Sequence, residues 1–476
     1  MTLPHDIRST IVIKNLTSLA GDKTILDDIT LTVSAGERVC IMGANGSGKT
    51  TLIHHLNGLL TPTSGSVSIG GYDTAVNDQL EQVRKLVGIV FQDPDDQMVA
   101  VTVGRELAFG LENLAWEPAA MRDRVDETIS RFGLMELRNR ATAALSGGEQ
   151  QRVAIAAVWI AAPEVLVLDE PTSMLDSAGS ISVMDALDEI DGRQTVIHVT
   201  QSLDEAMRAD RLVVLDGGRV VMDGPPRVVV QDRDRLVELG VANRLDTKER
   251  SSAAKNRPAL VAQELFHTLI DGPNRTEVLK GVSFGLRKGA VLAITGPSGS
   301  GKTTCGYHAN RLLKPNQGDL TLAGVHFDDI PIHELRRRVG LTFQAVDLQL
   351  FGETVWEDIR FGLEQQQIDE DEGRRRAETW LGRLDLPFEE YIDRRPATLS
   401  TGEKRRVALA GVLVLEPEVI VMDEPTAGLD ARGADSLVGI VDDLRDRGVA
   451  MMIITHDHHF AARVADEIAE MRDGTL

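Results

Sequence analysis

Short β-branched apolar runs alternate with helical stretches along this chain, and the runs are continuous rather than interrupted by polar residues. Val39 to Met42 and Val291 to Thr295 each enter a glycine-rich loop. Val165 to Leu168 and Val419 to Met422 each end in Asp-Glu, and Thr195 to Thr200 and Ala450 to Thr455 follow them. A strand apolar on both faces is buried on both faces, so the pattern predicts a mainly parallel sheet. The most apolar segment, Val153 to Leu168, is broken by Pro163 and Glu164, and residues 1–10 hold no basic stretch followed by an apolar one. No membrane span and no signal peptide are therefore expected, and any work on a membrane goes through a partner.

The pattern is written twice. Lys49 and Lys302 lie 253 residues apart, Gln92 and Gln344 252, Ser146 and Ser400 254, and Asp169 and Asp423 254. One duplicated domain accounts for all four spacings. Between the copies the chain is polar, charged and serine-bearing, which reads as a linker. The predicted boundaries are 8–240 for the first domain, 241–257 for the linker and 258–476 for the second. The second copy reaches Leu476 where the first runs on through a further apolar strand, Arg219 to Met222.

Charge narrows the partners. Lys and Arg number 51 against 73 Asp and Glu, a net −22 that repels phosphate backbones, so no nucleic-acid partner is expected. The 42% of hydrophobic residues suffice for real cores. The two cysteines, Cys40 and Cys305, are far apart and fit a reducing compartment rather than a disulfide framework.

Two glycine-rich loops carry the first chemistry. Gly43, Ala44, Asn45, Gly46, Ser47, Gly48, Lys49 and Thr50, with Thr51 after them, and Gly296, Pro297, Ser298, Gly299, Ser300, Gly301, Lys302 and Thr303, with Thr304, fit the phosphate-loop pattern between strand and helix. The glycines let backbone N–H groups wrap a β-phosphate, the lysine spans to the γ-phosphate, and the hydroxyl binds magnesium. A plain glycine turn before a helix is the other reading of one such loop; two at matching positions of a repeat favour the first. Asp169-Glu170 and Asp423-Glu424 end apolar strands. The first acid of each pair can hold magnesium through water, and the second can orient or deprotonate an attacking water.

Leu145-Ser146-Gly147-Gly148-Glu149-Gln150 resembles the signature sequence of ATP-binding-cassette proteins. Ser173-Met174-Leu175-Asp176 and Ala427-Gly428-Leu429-Asp430 resemble that family's D-loops, and Gln92 and Gln344 its Q-loop glutamine. The resemblance covers both halves. It implies an α/β fold of two tandem P-loop nucleotide-binding domains, each a mainly parallel sheet with an antiparallel β subdomain and a helical subdomain. It implies ATP hydrolysis with Mg2+, the metal near Thr50, Gln92 and Asp169 and near Thr303, Gln344 and Asp423. It also implies that the two domains dock head to tail, each ATP lying between one copy's phosphate loop and the other's signature.

The copies depart from the family pattern in different places. Gln201 stands where the second copy has His456, and the second signature, Ser400-Thr401-Gly402-Glu403, has Thr401 where the first has Gly147. Under head-to-tail pairing the two departures fall in one site, on Lys49, Glu170 and Gln201. The site on Lys302, Glu424 and His456, facing Ser146, Gly147, Gly148 and Glu149, is complete and is expected to do most of the hydrolysis. His198 reads as a packed sheet histidine rather than a stand-in for the missing imidazole. Family members stack adenine on an aromatic upstream of the phosphate loop, but Ser18-Leu19-Ala20 and Thr268-Leu269-Ile270 hold none, and Phe266 is the one nearby ring.

Asp93-Pro94-Asp95-Asp96-Gln97, Leu107 to Asn113 and the second copy's Gln349-Leu350-Phe351 resemble the ATPases of energy-coupling-factor importers of vitamins and cobalt or nickel. The resemblance implies integral-membrane partners, a transmembrane coupling component and a substrate-binding component. Asp95, Asp96 and Gln97 would face them, and the chain would sit peripherally at the cytoplasmic face of the cell membrane. Duplicated sugar-importer ATPases and soluble cassette proteins acting on ribosomes are the alternatives. The acidic charge and short linker weigh against the second, and Glu424 with His456 weighs against a scaffold that binds ATP without turnover. The resemblance further implies that a separate membrane protein, not this chain, selects the transported substrate.

Overall fold

The computed structural model describes residues 10–173, 175, 177–188, 194–243, 258–271 and 274–476. Residues 1–9, residues 244–257 of the predicted linker 241–257, and Met174 and Asp176 of the first D-loop lie outside the described residues, while Val241 and Ala242 are buried in the core of the first unit. The chain divides into two compact units, with the main boundary between Asn243 and Arg244.

In the first unit six strands form one sheet in the order Arg219–Gly224, Arg211–Asp216, Arg38–Met42, Thr195–Val199, Val165–Asp169, Val87–Val90. Neighbours run parallel except the first pair. Successive side chains of a strand point to opposite faces, and here both faces are covered. Val165 and Val167 pack with Leu52, Ile53 and Leu56 of the helix Lys49–Leu56. Leu166 and Leu168 pack with Val153, Ile155 and Trp159 of the helix Gly147–Trp159. Each such side chain contributes about 1.5–3 kcal/mol on full burial, which is why the run admits no polar residue before Asp169. A second, antiparallel sheet places Ile11–Ala20 between Lys23–Val33 and Ser64–Ile69, with Tyr72–Asp73 at its edge. Val103–Asn113, Pro118–Arg131 and Gly147–Trp159 make the helical part.

The second unit repeats this plan with five strands, all parallel, in the order Val339–Thr342, Val419–Asp423, Ala450–Ile454, Val291–Thr295, Glu467–Glu470. Its antiparallel sheet orders Asn274–Arg287, Pro258–Asp271, Gln317–Leu322 and Val325–His326. Val355–Gln365, Glu370–Arg383 and Thr401–Leu413 form its helical part. The α/β cassette with parallel, antiparallel and helical parts is thus present in both halves, as the apolar pattern and the resemblance predict. Both cysteines are buried and unpaired, and burial pushes the Cys305 thiol up to about 12. Among the described residues no helix is long and apolar enough to cross a membrane.

Candidate functional site

Each phosphate loop leaves a buried strand and ends at a helix: Arg38–Met42 leads to Lys49–Leu56, and Val291–Thr295 to Lys302–Ala309. The first glycine is required by a close approach. Gly296, at φ 137, would with a Cβ meet the Met471 carbonyl oxygen at 2.1 Å, and Gly43 would meet that of Leu215 at 2.3 Å. Lys49 Nζ donates to the carbonyls of Gly43 (2.8 Å) and Ala44 (3.1 Å), and Lys302 Nζ to those of Gly296 and Pro297, both at 2.7 Å. Each ammonium is thereby held at its own loop, where a phosphate can take over from the carbonyls. Burial pulls the Lys49 amine below its usual range, against the opposing pull of Glu170 and Asp169.

Burial pushes the carboxyls of Asp169 and Asp423 up to about 6. Thr50 Oγ1 donates to Asp169 Oδ2 at 3.0 Å. The Thr303 hydroxyl faces Asp423, yet both Asp423 oxygens are buried without a partner of good hydrogen-bond geometry. A sheltered carboxylate short of donors beside a hydroxyl suits a hard divalent cation that takes oxygen ligands, so these residues fit magnesium.

The two glutamates that follow share an unusual backbone. Glu170 has φ 45 and Glu424 φ 48, a left-handed conformation that residues with a Cβ seldom adopt and that clusters at functional sites. The neighbouring strand holds it: Glu170 N–H donates to Val199 O (2.9 Å) and Glu424 N–H to Ile454 O (2.8 Å). Their side chains then meet different partners. Glu170 accepts from Gln92 Nε2 (3.1 Å) and Gln201 Nε2 (2.9 Å), and Gln201 also donates to Asn45 Oδ1 (3.2 Å). Glu424 Oε2 lies 2.9 Å from His456 Nδ1, and this bond raises the imidazole above its usual pKa. An imidazole so held can carry a proton beside the base; an amide cannot. Gln344 is exposed and makes no bond like that of Gln92 among the described residues.

Both signatures open a helix through a capping box. Ser146 N–H donates to Glu149 Oε2 at 2.7 Å and Ser400 N–H to Glu403 Oε2 at 2.7 Å, while each glutamate N–H donates back to its serine Oγ. Glu149 and Glu403 thus organise the first helical turn, leaving Gly147, Gly148, Thr401 and Gly402 at a helix N-terminus suited to an anion. Thr401 is exposed there.

Of the three residues expected to face a partner, Asp95 and Asp96 are exposed, although Asp95 Oδ1 accepts from Gln150 Nε2 at 2.9 Å. Gln97 is tied within the chain. Its Oε1 accepts from Phe91 N–H and its Nε2 donates to Ala154 O, each at 3.2 Å, so it clasps the loop to the helix Gly147–Trp159. Gln349 does the same with Phe343 N–H (3.2 Å) and Ala408 O (3.0 Å). The matching glutamines in the repeat were the available signal. His198 is buried, with Nε2 3.2 Å from Glu205 Oε2, and Thr172 and Thr200 both donate to Glu205 at 2.6 Å. It is a packed sheet histidine.

Beside the second phosphate loop lies a cleft of about 440 Å³ lined by Leu269, Thr276, Val278, Gly301, Lys302 and Thr303, among others. Phe266 packs against Gly281 instead.

The ABC transporter family profile matches residues 26–173 and 279–427. A protein of Methanosarcina mazei named as an ABC transporter ATP-binding protein is 32% identical across 100% of this chain and 90% of its own length. One of Bifidobacterium longum, similarly named, is 34% identical over 95% of this chain, which spans 63% of that relative's length. A protein of Bacillus subtilis named for HMP/thiamine import, YkoD, is 30% identical over 96% of this chain and 88% of its own length.

Proposed function

Because this chain belongs to the ABC transporter family and is an ATPase with two such domains, we propose that it is the energy-coupling subunit of a membrane importer, of the energy-coupling-factor type that takes up a vitamin or a transition-metal ion. The observation that carries this reading is the likeness, over 96% of the chain, to a protein named for import of HMP and thiamine. The exposed Asp95-Asp96 loop supports it. In this reading the chain sits at the cytoplasmic face of the cell membrane, bound to a transmembrane coupling component and a substrate-binding component.

Two ATP molecules bind in the head-to-tail closed state. One lies on Lys302, Glu424 and His456 against the Ser146 signature, the other on Lys49, Glu170 and Gln201 against the Ser400 signature. The first is the consensus site and the second degenerate. Thr303 and Asp423, with Gln344, would hold magnesium at the first; Thr50, Asp169 and Gln92 would hold it at the second. When bound, the metal would neutralise phosphate charge. Glu424 takes the proton of the attacking water, and His456 steadies Glu424 while presenting a cation toward the γ-phosphate.

Charge reversal by Asp95→Lys with Asp96→Lys is expected to reduce recovery of integral-membrane subunits from detergent-solubilised membranes by at least about tenfold, because like charges at a contact oppose docking. Nucleotide binding should persist. Undiminished recovery, or recovery of ribosomes in place of membrane subunits, would count against the importer reading.

Adenine recognition gives a second test. Leu269, half exposed at 50%, borders the cleft and offers an aliphatic surface to either purine without hydrogen-bonding its edge. GTP is expected to compete with ATP within about fivefold, since discrimination by a site that makes no polar contact to the differing groups is small. A competition assay giving strong ATP preference would refute this.

A further inference from the structure

The left-handed turn at each Asp-Glu pair leaves the glutamate carbonyl at a bend, and the two units secure that carbonyl by different means. In the first unit Ser173 donates twice to Glu170 O, from its N–H at 3.1 Å and from Oγ at 2.9 Å. The repeat puts Ala427 at the matching place in the second unit, where only the N–H remains, 3.2 Å from Glu424 O. The missing donor is replaced from elsewhere: Arg405 Nη1 donates to Glu424 O at 2.7 Å. Arg405 lies on the helix Thr401–Leu413, and its counterpart on the first unit's helix is Gln151. Gln151 is 1% exposed, and neither end of its amide has a hydrogen-bond partner among the described residues. The two exchanges, Ser173 for Ala427 and Gln151 for Arg405, thus compensate at one carbonyl.

We propose that Arg405 is the positioning residue for the base Glu424, fixing the strained peptide that aims its carboxylate, and that it stands in for the hydroxyl Ser173 supplies to Glu170. The proposal rests on the assignment of turnover to the Glu424 pocket. A guanidinium N–H to a carbonyl is charge-assisted and stronger than a neutral hydroxyl contact. It also ties the catalytic turn to the helix that begins at Ser400, where Ser173 ties its turn only to itself. Among the described residues no other side chain hydrogen-bonds to Glu424 O.

The test is steady-state ATPase kinetics on the full chain, with thermal melting of each variant. Glu424→Gln first fixes how much turnover belongs to this pocket; if turnover survives it unchanged, the assignment of hydrolysis fails, separately from this proposal. With that share established, Arg405→Gln is expected to lower kcat about tenfold, the equivalent of one good hydrogen bond, with KM for ATP within about twofold. Adding Ala427→Ser should restore most of the loss, because the hydroxyl returns to the same carbonyl. Arg405→Lys, which keeps a cationic donor and is the variant to read should Arg405→Gln not fold, should fall between wild type and Arg405→Gln. An unchanged kcat in Arg405→Gln overturns the proposal. So does a loss that Ala427→Ser leaves in place, or an Arg405→Lys variant whose KM rises while kcat holds.

Discussion

Glu424→Gln is expected to abolish steady-state ATP hydrolysis while nucleotide binding persists, whereas Glu170→Gln leaves much of the turnover in place. Glutamine keeps the volume of Glu424 and can still hydrogen-bond to His456, whose Nδ1 is 2.9 Å from the carboxylate. What it cannot do is accept the proton of an attacking water, a contribution of about 10²–10⁴ in rate. Glu170 already faces two amides, Gln92 and Gln201, and has no imidazole beside it to hold a proton. Phosphate release and equilibrium nucleotide binding, measured on both variants, check the pair. Equal losses of hydrolysis would remove the case for unequal sites.

Gly296→Ala should be nearly as damaging, by another route. The added Cβ would sit 2.1 Å from the Met471 carbonyl oxygen at a φ of 137, so the loop must move or the backbone behind it must. A strained backbone with a backbone clash destabilises the loop by on the order of 3 kcal/mol or more, about a hundredfold in affinity for whatever that loop grips. Nucleotide stoichiometry by equilibrium binding is expected to fall from two to one, with turnover lost. Full stoichiometry with unchanged affinity would mean that the loop rearranges freely on binding.

The parallel sheets and phosphate loops were readable because their causes are local. Continuous apolar runs such as Val165 to Leu168 can be satisfied only between two layers, and a glycine loop closed by lysine and threonine carries its chemistry in consecutive residues. The left-handed Glu170 and Glu424 were not readable: their geometry is imposed by carbonyls of Val199 and Ile454, contributed by a different strand. The internal tie made by Gln97 is likewise not legible in a residue that follows two exposed acids. Its role depends on the Ala154 carbonyl, 57 residues away. Arg405 is hidden in the sequence for a similar reason, since a cation in the turn after a signature reads as ordinary helix surface, whereas its Nη1 donates to Glu424 O, 19 residues away.

The glutamine clasps have a mechanical consequence. Gln97 grips its loop at Phe91 and its helix at Ala154, and Gln349 does so at Phe343 and Ala408; Gln150 to Asp95 and Lys404 to Asp347 add a further tie in each unit. Parting such a tie means losing several bonds worth about 1 kcal/mol apiece, well above thermal energy. The acidic tip of the first unit is thereby fastened at two points, Gln150 and Ala154, to the helix that opens at Ser146, so tip and helix are tied as one piece.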